Sequence, residues 1–334
     1  MSLFRRRSRS GSQDGGAAPV VPAPSGPPPV LDDLCGDAEL LLMRDQAVAG
    51  DWAALREGLA AITDQTELTW VLIALAEVAG VEEWTSRAVA EEPDSALPLL
   101  LSGARQVAWA WEARTRQSAK HVSQDQWKAF RSRLATAEEQ LFEVAEREPE
   151  WLAPWYFLQH SGRGASLDQE VCRYRFEAAL RRRPGHLASH QARLQQLCAK
   201  WGGSHEAMHA FAQASMRAQP EGSPFGELVA LAHLERWVDL DGGDAGRAYL
   251  TRPEVLAELR EAAERSVLHP DFQRRRGWQA TYNSFAMALS LAGERATAHR
   301  LFQALDGTAT TFPWRYLSGT PVDQFGKHRD LCAQ

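Results

Sequence analysis

Glu146-Arg-Glu-Pro149, Arg181-Arg-Arg-Pro184 and Arg217-Ala-Gln-Pro220 close three successive runs of this chain, at steps of 35 and then 36 residues. Proline has no backbone N–H and cannot continue a helix, so each marks a helix end. Ala90-Glu-Glu-Pro93 and Val267-Leu-His-Pro270 repeat the pattern outside the regular section. The step is close to the period of two-helix repeats. It predicts an all-α solenoid of about six or seven stacked antiparallel helix pairs, the first helix of each pair lining a concave side. Such a stack is usually a surface for partners.

Punctuation between the prolines supplies the remaining boundaries. Gly50 ends a run holding Leu40, Met43 and Ala47, and Asp51 caps the helix of Trp52, Leu55 and Leu59. Thr66 is expected to cap a third helix, stopped by Gly80, and Leu99 opens one reaching about Gln117. Ser123 with Gln126, and Ser166 with Gln169, form capping boxes. Gly162 to Gly164 break the helix that begins near Trp151, and His186 to Lys200 form the next first helix. Ser204 caps its partner, and Ser223-Pro224 starts another helix. Asp239 to Thr251 is the one substantial loop, and helices near Pro253–Val267, Gln279–Leu291 and Glu294–Leu305 finish the stack. No run alternates at period two, so essentially no sheet is expected.

Three regions result. Residues 1–33 form a tail rich in Pro, Gly, Ser and Arg, expected to be disordered. Its Arg5-Arg-Arg7 run and Pro22–Pro29 stretch offer a basic anchor or a polyproline ligand. Residues 34–307 are the helical-repeat domain, and 308–334 a mostly irregular C-terminal cap.

The twelve Trp spread along the whole length, as fits a stack in which each pair needs its own bulky filler. Net charge is −6, which argues against a nucleic-acid binder driven by phosphate contacts and leaves basic protein partners open. Cys35, Cys172, Cys198 and Cys332 are isolated, so neither a disulfide framework nor a zinc ribbon is expected, and a reducing cytoplasm is the expected compartment. No run approaches the roughly 18 apolar residues of a membrane helix. No apolar stretch follows Arg5–Arg7, so no signal peptide is read.

Counted back from the prolines, Leu141 and Ala145, Phe176 and Ala179, and Ala212 and Ser215 recur in the second-helix positions. This resembles the tetratricopeptide repeat, with Trp151 or Trp155 at that repeat's early Trp and the period kept over about residues 134–220. Lys200-Trp-Gly-Gly-Ser-His-Glu-Ala-Met208 is similar to the Trp-Gly-Gly-Ser segment of a bacterial helical-repeat family of uncharacterised function. The two resemblances imply a helical-repeat fold and an intracellular bacterial protein, and neither implies a catalytic residue or a cofactor.

His205-Glu206-Ala207-Met208-His209 spells H-E-x-x-H, which places two imidazoles on one helix face with a carboxylate as base. The alternative reading is therefore a zinc-dependent hydrolase with ligands His205, His209 and Glu227. Against it, Gly202-Gly203-Ser204 puts His205 at the very start of a helix, in the slot of an ordinary second helix. In Trp201-Gly-Gly-Ser204 the residues suit a tight turn, a cap and a filler, while the helix start beside His205 can receive an anion. Asp239–Asp244 lacks the twelfth-position Glu of a calcium loop, where Leu250 stands. Arg181–Arg183 and Arg274–Arg276 read as last-turn or solvated charges, with docking of an acidic segment as their functional use. No nucleophile elbow, P-loop or dinucleotide fingerprint occurs.

The expected function is a non-enzymatic protein- or peptide-binding module. His190 and Arg193, on the flank of helix 186–200, are its groove residues, Trp155 its aromatic anchor, and Trp201 and His205 further binding residues. No cofactor, nucleic acid or membrane is expected. A purely structural or self-associating repeat is the third class.

Overall fold

A computed structural model describes residues 26–115 and 121–334. The basic run Arg5–Arg7 and most of the expected tail lie outside them. The described residues are almost wholly helical, in seventeen α-helices. No helix among them is long and apolar enough to cross a membrane.

The first four helices are α1 (Ala38–Ala49), α2 (Trp52–Ala61), α3 (Gln65–Ala76) and α4 (Val81–Glu91). Gly50 closes α1 at φ 69°, and Asp51 caps α2. The cap of α3 is Asp64 rather than Thr66, because its carboxylate reaches the N–H groups of both Thr66 and Glu67. Then follow α5 (Ala96–Arg114), α6 (Gln124–Arg147) with its Ser123–Gln126 capping box, α7 (Ala153–Gly164) and α8 (Gln169–Arg182). Helix α7 includes Gly162 and Arg163 and ends at Gly164, the last residue of the expected break. A Cβ on Gly164 would come within 2.8 Å of Leu134 and 2.9 Å of Phe130, so that glycine serves close packing against α6. The cap of α8 accordingly moves from Ser166 to Asp168.

Next come α9 (Leu187–Gln196), a 3-10 turn at Ala199–Trp201, α10 (His205–Arg217), α11 (Glu227–Asp239) and α12 (Gly243–Leu250), the last formed within the expected loop 239–251. Finally α13 (Pro253–Arg265), α14 (Trp278–Leu291), α15 (Arg295–Leu305), the single turn α16 (Thr311–Trp314) and α17 (Pro321–Cys332) complete the chain. The segment 308–334, expected to be mostly irregular, thus carries a twelve-residue helix capped by Thr320. Pro93, Pro149 and Pro184 each directly follow a helix C-cap, as expected.

Packing separates two kinds of helix. α5, α11 and α14 are buried without interruption over Ala96–Arg105, Glu227–Glu235 and Thr281–Ser290, which requires neighbours all round. Helix α5 packs on α3 and α7, α7 on α9, α9 on α11, and α11 on α14. The intervening α6, α13 and α15 bury one stripe each, such as Phe130, Leu134, Ala137, Leu141 and Val144 on α6. The apolar core falls into two large clusters that divide within α9, between Ala192 and Leu194.

The two ends of the described chain are joined. Val30 and Leu31 (β1) pair in parallel with Thr308 and Ala309 (β2), a small departure from the expected absence of sheet. Arg276 bonds the carboxylates of Asp37 and Glu39, Gln279 Nε2 donates to the Cys35 carbonyl at 3.0 Å, and Asp33 accepts from the N–H and hydroxyl of Thr311. Arg329 donates to the Pro27 carbonyl. Residues 26–33, expected within the disordered tail, are therefore docked.

Burial also sets an acid response. His186 caps α9 through Nδ1 and is 3% exposed, and burial pushes its pKa down to about 4 from 6.5. Between those values the unfolded chain binds a proton that the folded chain refuses, so stability present above pH 6.5 is lost as pH falls towards 4. The loss is on the order of 3 kcal/mol for this residue. His186→Asn keeps a capping oxygen without the titration. Urea unfolding at pH 7 and pH 4 should show a smaller acid loss in the variant by about that amount.

Candidate functional site

The turn between α9 and α10 is built around two glycines. Gly202 has φ 84° and donates to the Ala199 carbonyl at 3.1 Å. Gly203 donates to the Cys198 carbonyl, and a Cβ there would lie 2.0 Å from the carbonyl oxygen of Leu197. Ser204 Oγ accepts from the Ala207 N–H and starts α10. This folding aims the residues on either side of the glycines in different directions.

Trp201 packs edge-on to Trp111 at the end of α5, ring centroids 5.8 Å apart. The Arg163 guanidinium, from α7, lies 4.9 Å from the Trp111 ring and 5.6 Å from that of Trp201. Arg114 lies within 6 Å of Trp111, Trp127 and Trp201. Three indoles and two guanidiniums, all half-buried, thus share one edge of the molecule. Trp127 and Trp111 are braced from below by Phe130.

The electrostatics of this edge are unusual for the molecule. Arg105 is fully buried and held by Glu82 and Glu112, and Arg175 is held by Glu138. Arg163 has no such carboxylate among the described residues, and its Nε and the Nε1 of Trp111 are buried donors without an acceptor. Desolvation lowers its pKa. One turn earlier on α7, His160 stacks on Tyr156 with its Nε2 also unpartnered; burial, reinforced by the Arg163 charge, drives it down to about 3.

On the other flank of the turn the charges are paired, though His205 Nδ1 is buried without a partner among the described residues. Lys200 Nζ bonds Glu235 at 2.6 Å, and Gln195 and Tyr316 donate to the same carboxylate. His205 Nε2 lies 2.9 Å from an Asp239 oxygen that also accepts from Arg236. Lys200, His205, Glu235 and Asp239 line a small pocket with Cys198, Val238 and Asp241.

The other expected binding residues are buried. His190 is enclosed by Phe176, Phe211 and Phe225, its Nδ1 3.0 Å from the His186 carbonyl oxygen. Arg193 donates to the side-chain oxygens of Gln169 and Gln196. Trp155 is roofed by Phe142 and Tyr174 and by Arg182 at 5.0 Å. None lines an open groove, because the helices that carry them are packed on both sides. The expected zinc set is not assembled either. Glu227 is buried between the hydroxyls of Thr281 and Ser284, Glu206 is exposed, and His209 faces Tyr249 instead of joining His205. Arg181 and Arg182 lie in the last turn of α8 as expected; the exposed Arg183 also pairs with Asp64, and Arg276 is clamped to Asp37.

The glycines have separable costs. Gly202→Ala meets open space but a left-handed backbone, worth about 1–2 kcal/mol. Gly203→Ala collides with backbone and should lower the urea midpoint further. No family model, curated protein or solved structure matches this chain, so these residues alone carry the functional argument.

Proposed function

We propose that this chain is a protein-binding array of stacked antiparallel helix pairs, tetratricopeptide-like in its middle, working in a bacterial cytoplasm. It receives an acidic peptide segment at the edge formed by Trp111, Trp127 and Trp201. The observation that carries the reading is Arg163, a half-buried cation with no carboxylate partner among the described residues, beside an indole donor likewise without an acceptor. A buried charge of this kind is costly unless it is paired. A partner's Asp or Glu side chain would pair with the accessible part of the half-buried Arg163 guanidinium, in a site lined by indoles. Charge-assisted hydrogen bonds contribute about 1.5–3 kcal/mol there. The indole faces offer rigid apolar area to flanking residues, and Trp with Arg is the usual make-up of an interface anchor. The chain's overall charge of −6 left basic partners open, but the two guanidiniums at this edge favour an acidic one.

The test is an array of immobilised 15-residue peptides carrying Asp or Glu, each beside its Asn or Gln counterpart. Wild-type protein should retain acidic members and lose them on amide substitution. Arg163→Met should weaken that binding at least tenfold, while its unfolding midpoint stays equal or rises because an unpaired charge has been removed. Equal retention of acidic and amide peptides, no retention of either, or binding indifferent to Arg163→Met would each overturn the proposal.

A further inference from the structure

His209 on α10, His233 on α11 and Glu258 on α13 each bring one potential ligand atom to a common point, all within 4.8 Å of one another. The convergence follows from packing, since α11 lies against both α10 and α13. The imidazole centroids of His209 and His233 are 4.7 Å apart with their planes at 54°. His233 Nε2 lies 3.1 Å from Glu258 Oε2, and its Nδ1 lies 2.7 Å from the Tyr249 hydroxyl on α12. That hydroxyl is 3.3 Å from His209 Nε2.

We infer that His209, His233 and Glu258 form a site for a divalent transition metal of the zinc class. Two imidazole nitrogens and one carboxylate are the donor types zinc prefers, and three protein ligands leave a fourth tetrahedral position for water. Ligand atoms around tetrahedral zinc stand about 3.4 Å apart, given bonds of roughly 2.1 Å. The observed spacing therefore needs only side-chain rotation of the half-exposed His209 and Glu258 towards the buried His233. Outer contacts of the kind that orient metal ligands are already in place. The Tyr249 hydroxyl meets His233 Nδ1 and so steers its Nε2 towards Glu258. Gln213, one turn beyond His209 on the same face of α10, hydrogen-bonds Glu258 and leaves its own Oε1 buried without a partner. Binding at His209 Nε2 would displace the Tyr249 hydroxyl from that nitrogen. A hard cation such as Ca2+ or Mg2+ would not suit so nitrogen-rich a set.

This site is distinct from the H-E-x-x-H reading, of which it keeps only His209. His205 is committed to Asp239. It is also independent of the peptide-binding edge.

The experiment uses the full chain, purified without a metal-affinity tag and stripped with EDTA. Zinc chloride is titrated by calorimetry and bound metal is counted by elemental analysis after desalting; cobalt chloride provides an absorption signature of tetrahedral coordination. One zinc per chain is expected, with affinity at least a hundredfold above that for calcium. Glu258→Gln, at a half-exposed position that should fold normally, should weaken zinc at least tenfold. His233→Ala should abolish binding, and His205→Ala should leave it unchanged. Substoichiometric zinc, or zinc retained at full affinity in Glu258→Gln, would overturn the site; so would loss of zinc in a folded His205→Ala.

Discussion

Enclosure of α5, α7, α11 and α14 is the constraint on which the rest of the structure depends. A helix packed on all sides cannot send its polar side chains to water, and each must find an internal partner or cost roughly 1–3 kcal/mol, more if charged. α5, α7, α11 and α14 carry many such groups. Arg105 is held by two carboxylates and the Ala76 carbonyl, and Glu227 by Thr281 and Ser284, while Arg175 reaches from α8 to the Leu158 carbonyl of α7 and to Glu138. Asn283 accepts from the buried Trp314 indole at 2.6 Å. These pairs join successive helices, so a shifted helix would orphan a polar group as well as open a gap. Against that background, α7 stands apart: Trp155 Nε1, Gln159 Oε1, His160 Nε2 and Arg163 Nε are all buried without a partner among the described residues.

Joining of the ends is the second organising feature. An open helical stack exposes apolar surface at both termini and needs polar caps there. Here the segment 26–39 spans to residues 276–329 by a strand pair, an arginine clamp and side-chain bonds to Thr311 and Cys35. The same contacts explain why the last residues form a helix: Phe325 is fully buried against Phe302 and Trp314. No local signal in the sequence announces this. The ion pair between Arg276 and Asp37 crosses most of the chain, and Pro27–Pro29 read as tail because their partners lie so far away.

What was legible was local chemistry. Proline after a C-cap, Gly50 in the left-handed region and the Ser123–Gln126 box act within one turn, and each stands where its residues implied. Signals with two physical uses misled. Glycine breaks a helix or lets two helices touch, and at Gly164 packing prevails. Asp and Thr both cap, and Asp64 prevails over Thr66 by reaching two N–H groups. The groove residues failed for a different reason. An amphipathic reading of helix 186–200 assumes one open flank, whereas Phe211 and Phe225, supplied from elsewhere, close over His190. Of the candidate edge, Trp201 was visible, but Arg163 lay hidden in Ser-Gly-Arg-Gly, which read as a turn.

The segment from Trp201 to His209 shows how one short motif can serve two sites without being either of the motifs it resembles. Gly203 admits no side chain, so the turn has one geometry. That geometry faces Trp201 towards α5 and α7 and starts α10 at Ser204. Helical spacing then separates the two histidines by one turn, enough for His205 to meet Asp239 while His209 reaches Tyr249 and His233. Spacing along a helix fixes which face a side chain shares, but partners on that face decide what it does. An i, i+4 histidine pair is a metal signature only where both rings are left free to converge. Here an aspartate holds the first, and convergence passes to residues of α11 and α13 that no linear pattern connects.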